Sequence, residues 1–127
     1  MEIRTDRKSL GSASGCRVFI IHHMFRLNYS DLDEWANTRV TLYESSIFAD
    51  NDDWADGKEP AKLLFKLQQF KFDPTKDYVV LSGDILRIAT TCALIGRLYP
   101  KFCMLRYDRQ LNGYWPFYVN LSQRTAS

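Results

Sequence analysis

Apolar residues in the second half of the chain follow a pattern that predicts a strand, a helix and a second strand. Residues 78–81 form a short apolar run that stops at a Ser-Gly-Asp turn signal, which is typical of a buried strand. Between Ile85 and Tyr99, apolar residues occupy too many sides for a surface helix, and Pro100 ends the pattern. Residues 102–107 are apolar again. Together they predict one right-handed βαβ crossover with parallel strands and a buried helix.

The other apolar segments complete the predicted fold. Residues 17–25 are nearly continuously apolar, as expected of a central strand, and residues 39–43 alternate between polar and apolar. Asn112-Gly113 is a hairpin signal, and Pro116 favours an edge position for the strand that follows. Ser30 or Asp31 is expected to cap a short helical turn. The prediction is an α/β domain: a small mixed sheet of about five strands (17–25, 39–43, 78–81, 102–108 and 114–121), two main helices (60–70 and 85–99), a central βαβ crossover and a C-terminal β-hairpin.

Length and composition indicate one domain. The 127 residues suffice for a single core. Residues 1–15 are basic and then rich in glycine and serine, so we expect a flexible tail, followed by one α/β domain over residues 16–122 and a short C-terminal tail over 123–127.

Charge and cysteine content exclude little but favour a cytoplasmic protein. The net charge of +2 is too small to indicate a nucleic-acid-binding protein. The three cysteines have no paired spacing, so neither a zinc site nor a redox motif is predicted, and a reducing compartment fits best. No apolar run reaches membrane-spanning length. The aromatic share of 14% is high and favours a binding surface without locating it.

The turn formed by Ser82, Gly83 and Asp84 is the first candidate site. It lies at the carboxyl end of a predicted parallel strand and the start of a helix, where α/β sheets bind ligands and helix N-termini attract phosphate. The turn lacks a GxGxxG pattern and a P-loop lysine. Asp84 is alternatively an N-cap, whose charge would repel phosphate. The structural interpretation is favoured, with phosphate or nucleotide binding as the alternative.

Two adjacent histidines are the second candidate. His22 and His23 point to opposite faces of a strand, so they cannot share one metal ion. One of them would approach Asp84 if their strands are neighbours, forming a carboxylate–imidazole pair able to move protons. We therefore include His22 among the candidate ligand-binding residues. A hydrogen-bonded core histidine is the preferred interpretation, because the local sequence has no nucleophile; no catalytic residue, metal ligand or cofactor is assigned.

Two further segments suggest contacts with partners. The acidic residues 50–56 lack the spacing of a calcium-binding loop and are typical of a solvated loop or of a contact for a basic partner. The predicted hairpin mixes arginine with aromatic residues, which suits a protein hot spot or single-stranded nucleic acid. Its candidate partner-binding residues are Arg106, Arg109, Tyr114, Trp115 and Tyr118.

Several short motifs together resemble a set of short, uncharacterised proteins carried by bacteriophages. These motifs are Phe-Asp-Pro at 72–74, Asp-Tyr-Val-Val-Leu-Ser-Gly-Asp at 77–84 before an alanine-bearing helix, Leu-Arg-Tyr-Asp-Arg at 105–109 and Tyr-Trp-Pro-Phe at 114–117. In the family, Gly-Asp-Pro ends the strand and Leu-Lys-Trp-Asp-Arg leads into the hairpin. Here Ile85 replaces the proline, and Arg106-Tyr107 replaces Lys-Trp. The resemblance implies a viral origin and a small α/β fold, and no activity.

The leading hypothesis is a small non-enzymatic phage-type protein that binds a host or viral macromolecule in the host cytoplasm. A protein partner is favoured over nucleic acid, and self-association stays open. The alternative is a nucleotide- or phosphate-binding protein that uses the Ser82-Gly83-Asp84 turn. A third hypothesis is a hydrolase built on His22 or His23 with Asp84.

Overall fold

The computed structural model describes residues 16–24, 26–44 and 57–122. Within these ranges the chain folds into five strands and two α-helices, in the order β1 (Arg17–His22), a 3-10 helix (Ser30–Glu34), β2 (Thr38–Tyr43), α1 (Glu59–Gln69), β3 (Tyr78–Val80), α2 (Ile85–Leu98), β4 (Lys101–Asp108) and β5 (Gly113–Asn120). The predicted α/β class is confirmed. The expected tails at 1–15 and 123–127, the acidic loop at 50–56 and position 25 lie outside the described residues.

The five strands form one mixed sheet in the order β2-β1-β3-β4-β5. β1, β2, β3 and β4 are parallel, with Phe19 opposite Val40 on one side and Val79 on the other. β5 is antiparallel to β4 and forms an edge, with Pro116 opposite Leu105. Both the central βαβ crossover and the terminal hairpin are therefore as the sequence predicts.

Alternation along the strands builds a core on each face of the sheet. Phe19 and Ile21 lie in the core beneath α1 and α2, whereas Val18 and Ile20 lie in the opposite core. That second core is closed by Leu32 and Trp35, from the segment around the 3-10 helix. Because both faces are covered, β1 is buried along nearly its whole length, which explains its continuous apolar sequence.

Helix α2 differs from the predicted buried helix. Its buried stripe is Arg87, Thr91 and Ile95, while Ile88 and Cys92 are only partly buried against the core. Its outer face is exposed, with Ile85 81% exposed. The difference arises because a helix on a sheet can bury only one stripe, and no other described element packs over the outer side. The apolar content of a helix does not by itself show which of its sides is buried.

Several predicted boundaries also need correction. β1 ends at His22 and β3 at Val80, short of the predicted 25 and 81. The residue before the 3-10 helix is Tyr29, so neither Ser30 nor Asp31 caps it. Instead, the backbone N–H of Ser30 donates to the side-chain oxygen of Asn28. Local polar residues compete for such roles, and sequence alone does not decide among them.

The amino ends of the parallel strands carry a closed polar network. Arg17 donates to both carboxylate oxygens of Asp77, at 3.3 and 2.9 Å, and to the backbone carbonyls of Phe70 and Lys71. The backbone N–H of Asp73 donates to the same carboxylate at 2.8 Å. Asp77 is 1% exposed. Its charge is tolerated there because every oxygen has a donor.

Candidate functional site

The carboxyl edge of the sheet holds the point where the chain changes direction. After β1 the chain moves outward to β2, whereas β3 and β4 lie on the other side of β1. The connection from β1 to β2 runs over one face of the sheet, while α1 and α2 cover the other. Loops therefore diverge at the carboxyl ends of β1 and β3, and open α/β sheets bind ligands in such a crevice.

The four predicted ligand-binding residues meet at this edge. The Ser82 hydroxyl donates to the His22 carbonyl oxygen at 2.6 Å, and the backbone N–H of Asp84 donates to His22 Nδ1 at 3.1 Å. Gly83 has φ +106°, and a Cβ added there would lie 2.1 Å from the His22 Cβ. The turn can therefore pass so close to His22 only with glycine at position 83.

His22 is held as a neutral imidazole. Because Nδ1 accepts a backbone N–H, the ring hydrogen of the neutral form lies on Nε2. Burial, and next the Arg87 guanidinium, lower the pKa of His22 below 6.5. Nε2 is enclosed and has no hydrogen-bond partner among the residues described. The ring offers no accessible nitrogen to a substrate, which argues against the hydrolase hypothesis at His22.

Asp84 occupies the N-cap position of α2 but does not cap it. Its side chain makes no capping hydrogen bond and instead accepts one from Arg87 at 3.1 Å. The predicted carboxylate–imidazole pair is thus replaced by a contact between the Asp84 backbone and His22. The Asp84 carboxylate pairs with Arg87 and not with the imidazole because the guanidinium lies on the same helix one turn later.

Ser82 is committed to a chain of internal hydrogen bonds. Its only proton goes to the His22 carbonyl, so the Tyr29 hydroxyl, 3.0 Å away, must donate to Ser82 Oγ. Tyr29 in turn accepts the backbone N–H of Met24 at 2.9 Å. His23 stacks on the Tyr29 ring, with centroids 5.0 Å apart. Ser82 consequently has no proton for a ligand phosphate, and its role at the edge is to tie β3 to the loop after β1.

Beside Ser82 opens a pocket with a volume of about 410 Å³. One wall comes from the loop after β1, the floor from the end of β3, and the opposite wall from the hairpin. It combines charged, amide and aromatic side chains, as ligand pockets do. The lining residues are Arg26, Leu27, Asn28, Asp31, Leu81, Ser82, Tyr107, Asn112 and Tyr114.

Several polar groups of this pocket remain available to a ligand. Arg26 and Asp31 face the same pocket, yet neither forms an ion pair or hydrogen bond with any described residue. Asn28 uses its oxygen for Ser30, and Asn112 uses its oxygen for the Tyr107 hydroxyl at 2.8 Å. Both amide groups therefore keep two N–H donors available.

Tyr114 is the most informative of these residues. It is 3% exposed and therefore buried, although the sequence analysis places it among the partner-binding residues of the hairpin. Its ring packs edge-on against Tyr107, with centroids 5.4 Å apart. Burial, followed by the charges around it, raises the pKa of Tyr114 to about 12, so its hydroxyl stays protonated. No hydrogen bond to this hydroxyl occurs within the described part of the chain. The hydroxyl of a tyrosine at the pocket wall can therefore donate to or accept from a ligand.

The other predicted partner-binding residues lie elsewhere on the hairpin. Tyr118 packs against the core beside the 3-10 helix, and Trp115 is half-buried on the other face. Arg109 is exposed at the turn. Arg106 is also exposed, and its guanidinium lies 5.1 Å above the ring of Phe117, which is 44% exposed. Arg106 and Phe117 therefore form an exposed arginine–aromatic pair on the face of the hairpin that carries Phe117, which we call its outer face.

Comparison with known proteins adds no assignment. No protein-family model, no curated protein and no solved structure matches the chain. Among the described helices, none is long and apolar enough to span a membrane. The described side chains also include no group of three or more His, Cys, Asp or Glu positioned to hold a metal ion.

Sequence reasoning missed most of the pocket. Arg26, Asn28 and Asp31 directly follow the first strand, and their position was itself a usable signal, since such residues lie at the carboxyl edge. The sequence analysis predicts for Asp31 only a possible helix cap, and for Arg26 and Asn28 no part in a site. Asn112 was interpreted only as a hairpin signal. Its positive φ of 53° fits that role, and the side chain contributes to the pocket as well.

Proposed function

We propose that the protein binds a nucleotide in the pocket at the carboxyl edge of β1 and β3. The observation that carries the proposal is the set of unpaired polar groups in that one pocket. Arg26, Asp31 and the Tyr114 hydroxyl line this pocket without a hydrogen-bond partner among the described residues, and a ligand that fills the pocket can supply such partners. The sequence analysis gives nucleotide binding as its alternative hypothesis and places it at the Ser82-Gly83-Asp84 turn. Here the proposed site is the adjacent pocket, between the loop after β1 and the hairpin.

The balance of donors and acceptors favours an anionic ligand. Arg26, Asn28, Asn112 and Tyr114 all present hydrogen-bond donors, whereas Asp31 is the one charged acceptor. Arg26 brings a positive charge and a planar set of N–H groups, which suit phosphate oxygens. A phosphate group would accept from several of these donors at once.

The aromatic wall favours a ring in the same ligand. Tyr107 is 40% exposed and lines the pocket beside Leu27 and Leu81. An exposed tyrosine face can stack on a nucleobase, whichever base it is. The pocket volume of about 410 Å³ lies within the range of small-molecule sites. A ligand that combines a phosphate, an aromatic ring and a polar group between them is a nucleotide.

The test is direct binding of nucleoside monophosphates, measured by isothermal titration calorimetry, with inorganic phosphate as a comparison. We expect the nucleotides to bind more tightly than phosphate alone, because the ring wall contributes. Replacing Arg26→Gln should weaken nucleotide binding by about tenfold or more, the usual range for a lost charge-assisted hydrogen bond.

Arg109→Gln is the matched control. Arg109 is an exposed arginine on the hairpin turn but does not line the pocket. Its loss should leave nucleotide affinity unchanged, although the net charge falls as much as in Arg26→Gln. Absence of nucleotide binding, or equal losses in the two variants, would refute the pocket as a nucleotide site.

A second candidate function is binding of a host or viral protein through the outer face of the hairpin. It is favoured by the exposed pair of Arg106 and Phe117, because arginine and aromatic residues dominate interface hot spots. Under this second proposal, the chain is a phage-type protein that acts in the host cytoplasm. The revised contact residues exclude Tyr114, which is buried.

The second candidate is tested by capture from host lysate followed by mass spectrometry. A single stoichiometric protein should be captured by the wild type and lost with the double variant Arg106→Ala, Phe117→Ala. The Arg26→Gln variant should capture it normally. Capture that survives the double variant would eliminate the hairpin face, and capture lost in Arg26→Gln would point to the pocket instead.

A further inference from the structure

We infer that Asp31 makes the pocket selective for ribonucleotides over 2′-deoxyribonucleotides. The inference rests on the proposed nucleotide function and adds a specificity-determining residue to it. It starts from Asp31, the one carboxylate among the residues that line the pocket.

Asp31 is available to a ligand. It lies in the first turn of the 3-10 helix and is half-buried, yet no described residue pairs with its carboxylate. Arg26 lines the same pocket without reaching it in an ion pair. Two opposite charges that line one pocket without pairing can each contact the same ligand, one that offers an anionic end to Arg26 and a donor end to Asp31.

Asp33, on the same 3-10 helix, differs from Asp31 because its carboxylate has a partner within the protein. Its carboxylate accepts a hydrogen bond from Arg39 at 2.9 Å, and its side chain is 73% exposed. Arg39 also donates to the Tyr29 carbonyl, which holds it beside Asp33. Arg39 is therefore directed to Asp33, and no arginine among the described residues pairs with Asp31.

An ionised carboxylate can only accept hydrogen bonds, so the ligand group beside Asp31 must donate. Phosphate would be repelled there and is attracted to Arg26, which fixes the direction of the ligand. The part of a nucleotide that carries neighbouring donors is the ribose, whose two hydroxyls can donate to the two oxygens of one carboxylate. A carboxylate on ribose hydroxyls is also the solution found in dinucleotide-binding sites.

A 2′-deoxyribose offers one donor fewer. The carboxylate oxygen facing the missing hydroxyl then loses its partner in a partly dry pocket, and such a loss discriminates strongly between ligands. Because Asp31 is half-buried and water can reach it, we expect a preference of about tenfold, near the lower limit for a hydrogen bond to a charged group.

The experiment compares the best-binding ribonucleoside monophosphate with its 2′-deoxy counterpart by isothermal titration calorimetry. Wild-type protein should prefer the ribonucleotide by about tenfold. In Asp31→Asn the preference should fall to about twofold or less, with the affinity for the deoxynucleotide unchanged or improved. Asp33→Asn, on the same 3-10 helix but outside the pocket, should retain the wild-type preference. Urea midpoints would establish that both variants fold.

The possible results distinguish a failure of the role of Asp31 from a failure of the proposed nucleotide binding. Nucleotide binding that depends on Arg26 but ignores the 2′-hydroxyl would overturn the role of Asp31 and leave the nucleotide site standing. A preference that survives Asp31→Asn, or that is lost equally in Asp33→Asn, would also overturn it. Absence of any nucleotide binding would overturn both.

Discussion

The two ends of the parallel strands treat polar groups in opposite ways. At the amino ends, the carboxylate of Asp77 is buried and has a donor at each oxygen, from Arg17 and from the backbone of Asp73. At the carboxyl ends, Arg26 and Asp31 share a pocket and pair with no described residue. Both ends carry internal ion pairs, since Asp84 pairs with Arg87 at the carboxyl ends, but the pocket at the carboxyl ends also holds charges without a described partner.

The contrast indicates which end stabilises the fold and which end is free to bind. Removing one partner of a satisfied buried pair leaves an uncompensated charge, which is expensive. Removing a group that the protein does not use costs little in the absence of ligand. Stability should therefore respond to changes in the Asp77 network, and ligand affinity to changes at Arg26 and Asp31.

The largest expected effect on stability is at the amino ends. Asp77→Ala leaves Arg17 and the Asp73 N–H without their acceptor and should cost about 3 kcal/mol, at the low end of the range because Arg17 is partly exposed. Urea denaturation measures it. Asp33→Ala, which breaks the exposed pair with Arg39, is the control and should cost less than about 1 kcal/mol. Equal losses would erase the distinction between the buried network and a surface pair.

The next effect concerns the turn that joins β3 to α2. Gly83→Ala introduces a side chain at φ +106° and a Cβ 2.1 Å from that of His22, so the free energy of unfolding should fall by about 2 kcal/mol or more. Gly57→Ala is matched in its positive φ of 73° but has nothing within 4 Å, so it reports backbone strain alone. If both variants lose the same stability, the contact with His22 contributes nothing.

A smaller effect should appear as pH falls. The folded protein lowers the pKa of His22, mainly by burial, so the unfolded chain binds the proton more readily. The stability from neutral His22 is thus complete above the ordinary pKa of 6.5 and is lost as pH falls below it. The loss per pH unit is at most about 1.4 kcal/mol for one proton. Urea midpoints across this range should show a shallower slope in His22→Gln than in the wild type. Parallel slopes would contradict the assignment.

The smallest expected effect on stability is in the pocket. Tyr114→Phe removes a hydroxyl that makes no hydrogen bond to the described protein, so the free energy of unfolding should change by about 0.5 kcal/mol or less. Nucleotide affinity should nevertheless fall several-fold, measured by calorimetry as above. A marked loss of stability would show that the hydroxyl is used within the protein and would weaken the contrast between the two ends.

Local sequence patterns were enough to predict the elements and most of their arrangement. The apolar run of β1 reports burial on both faces, and Asn112-Gly113 reports the hairpin, because each depends on residues close in sequence. The same patterns failed for α2, where apolar content suggested complete burial although Ile85 is 81% exposed. Which side of a helix meets the sheet depends on the packing of distant elements.

The candidate site, like the fold, was predictable from sequence only in part. The sequence indicated that Ser82, Gly83, Asp84 and His22 belong to the carboxyl edge, since parallel strands end there together. It placed Tyr114 on a separate surface, gave Arg26 no role and gave Asp31 only the role of a possible helix cap. Only the tertiary structure brings the loop after β1, the end of β3 and the hairpin around one pocket. Sequence patterns specify short-range conformation and burial, whereas a pocket is formed by segments about eighty residues apart and is fixed by the order and direction of the strands.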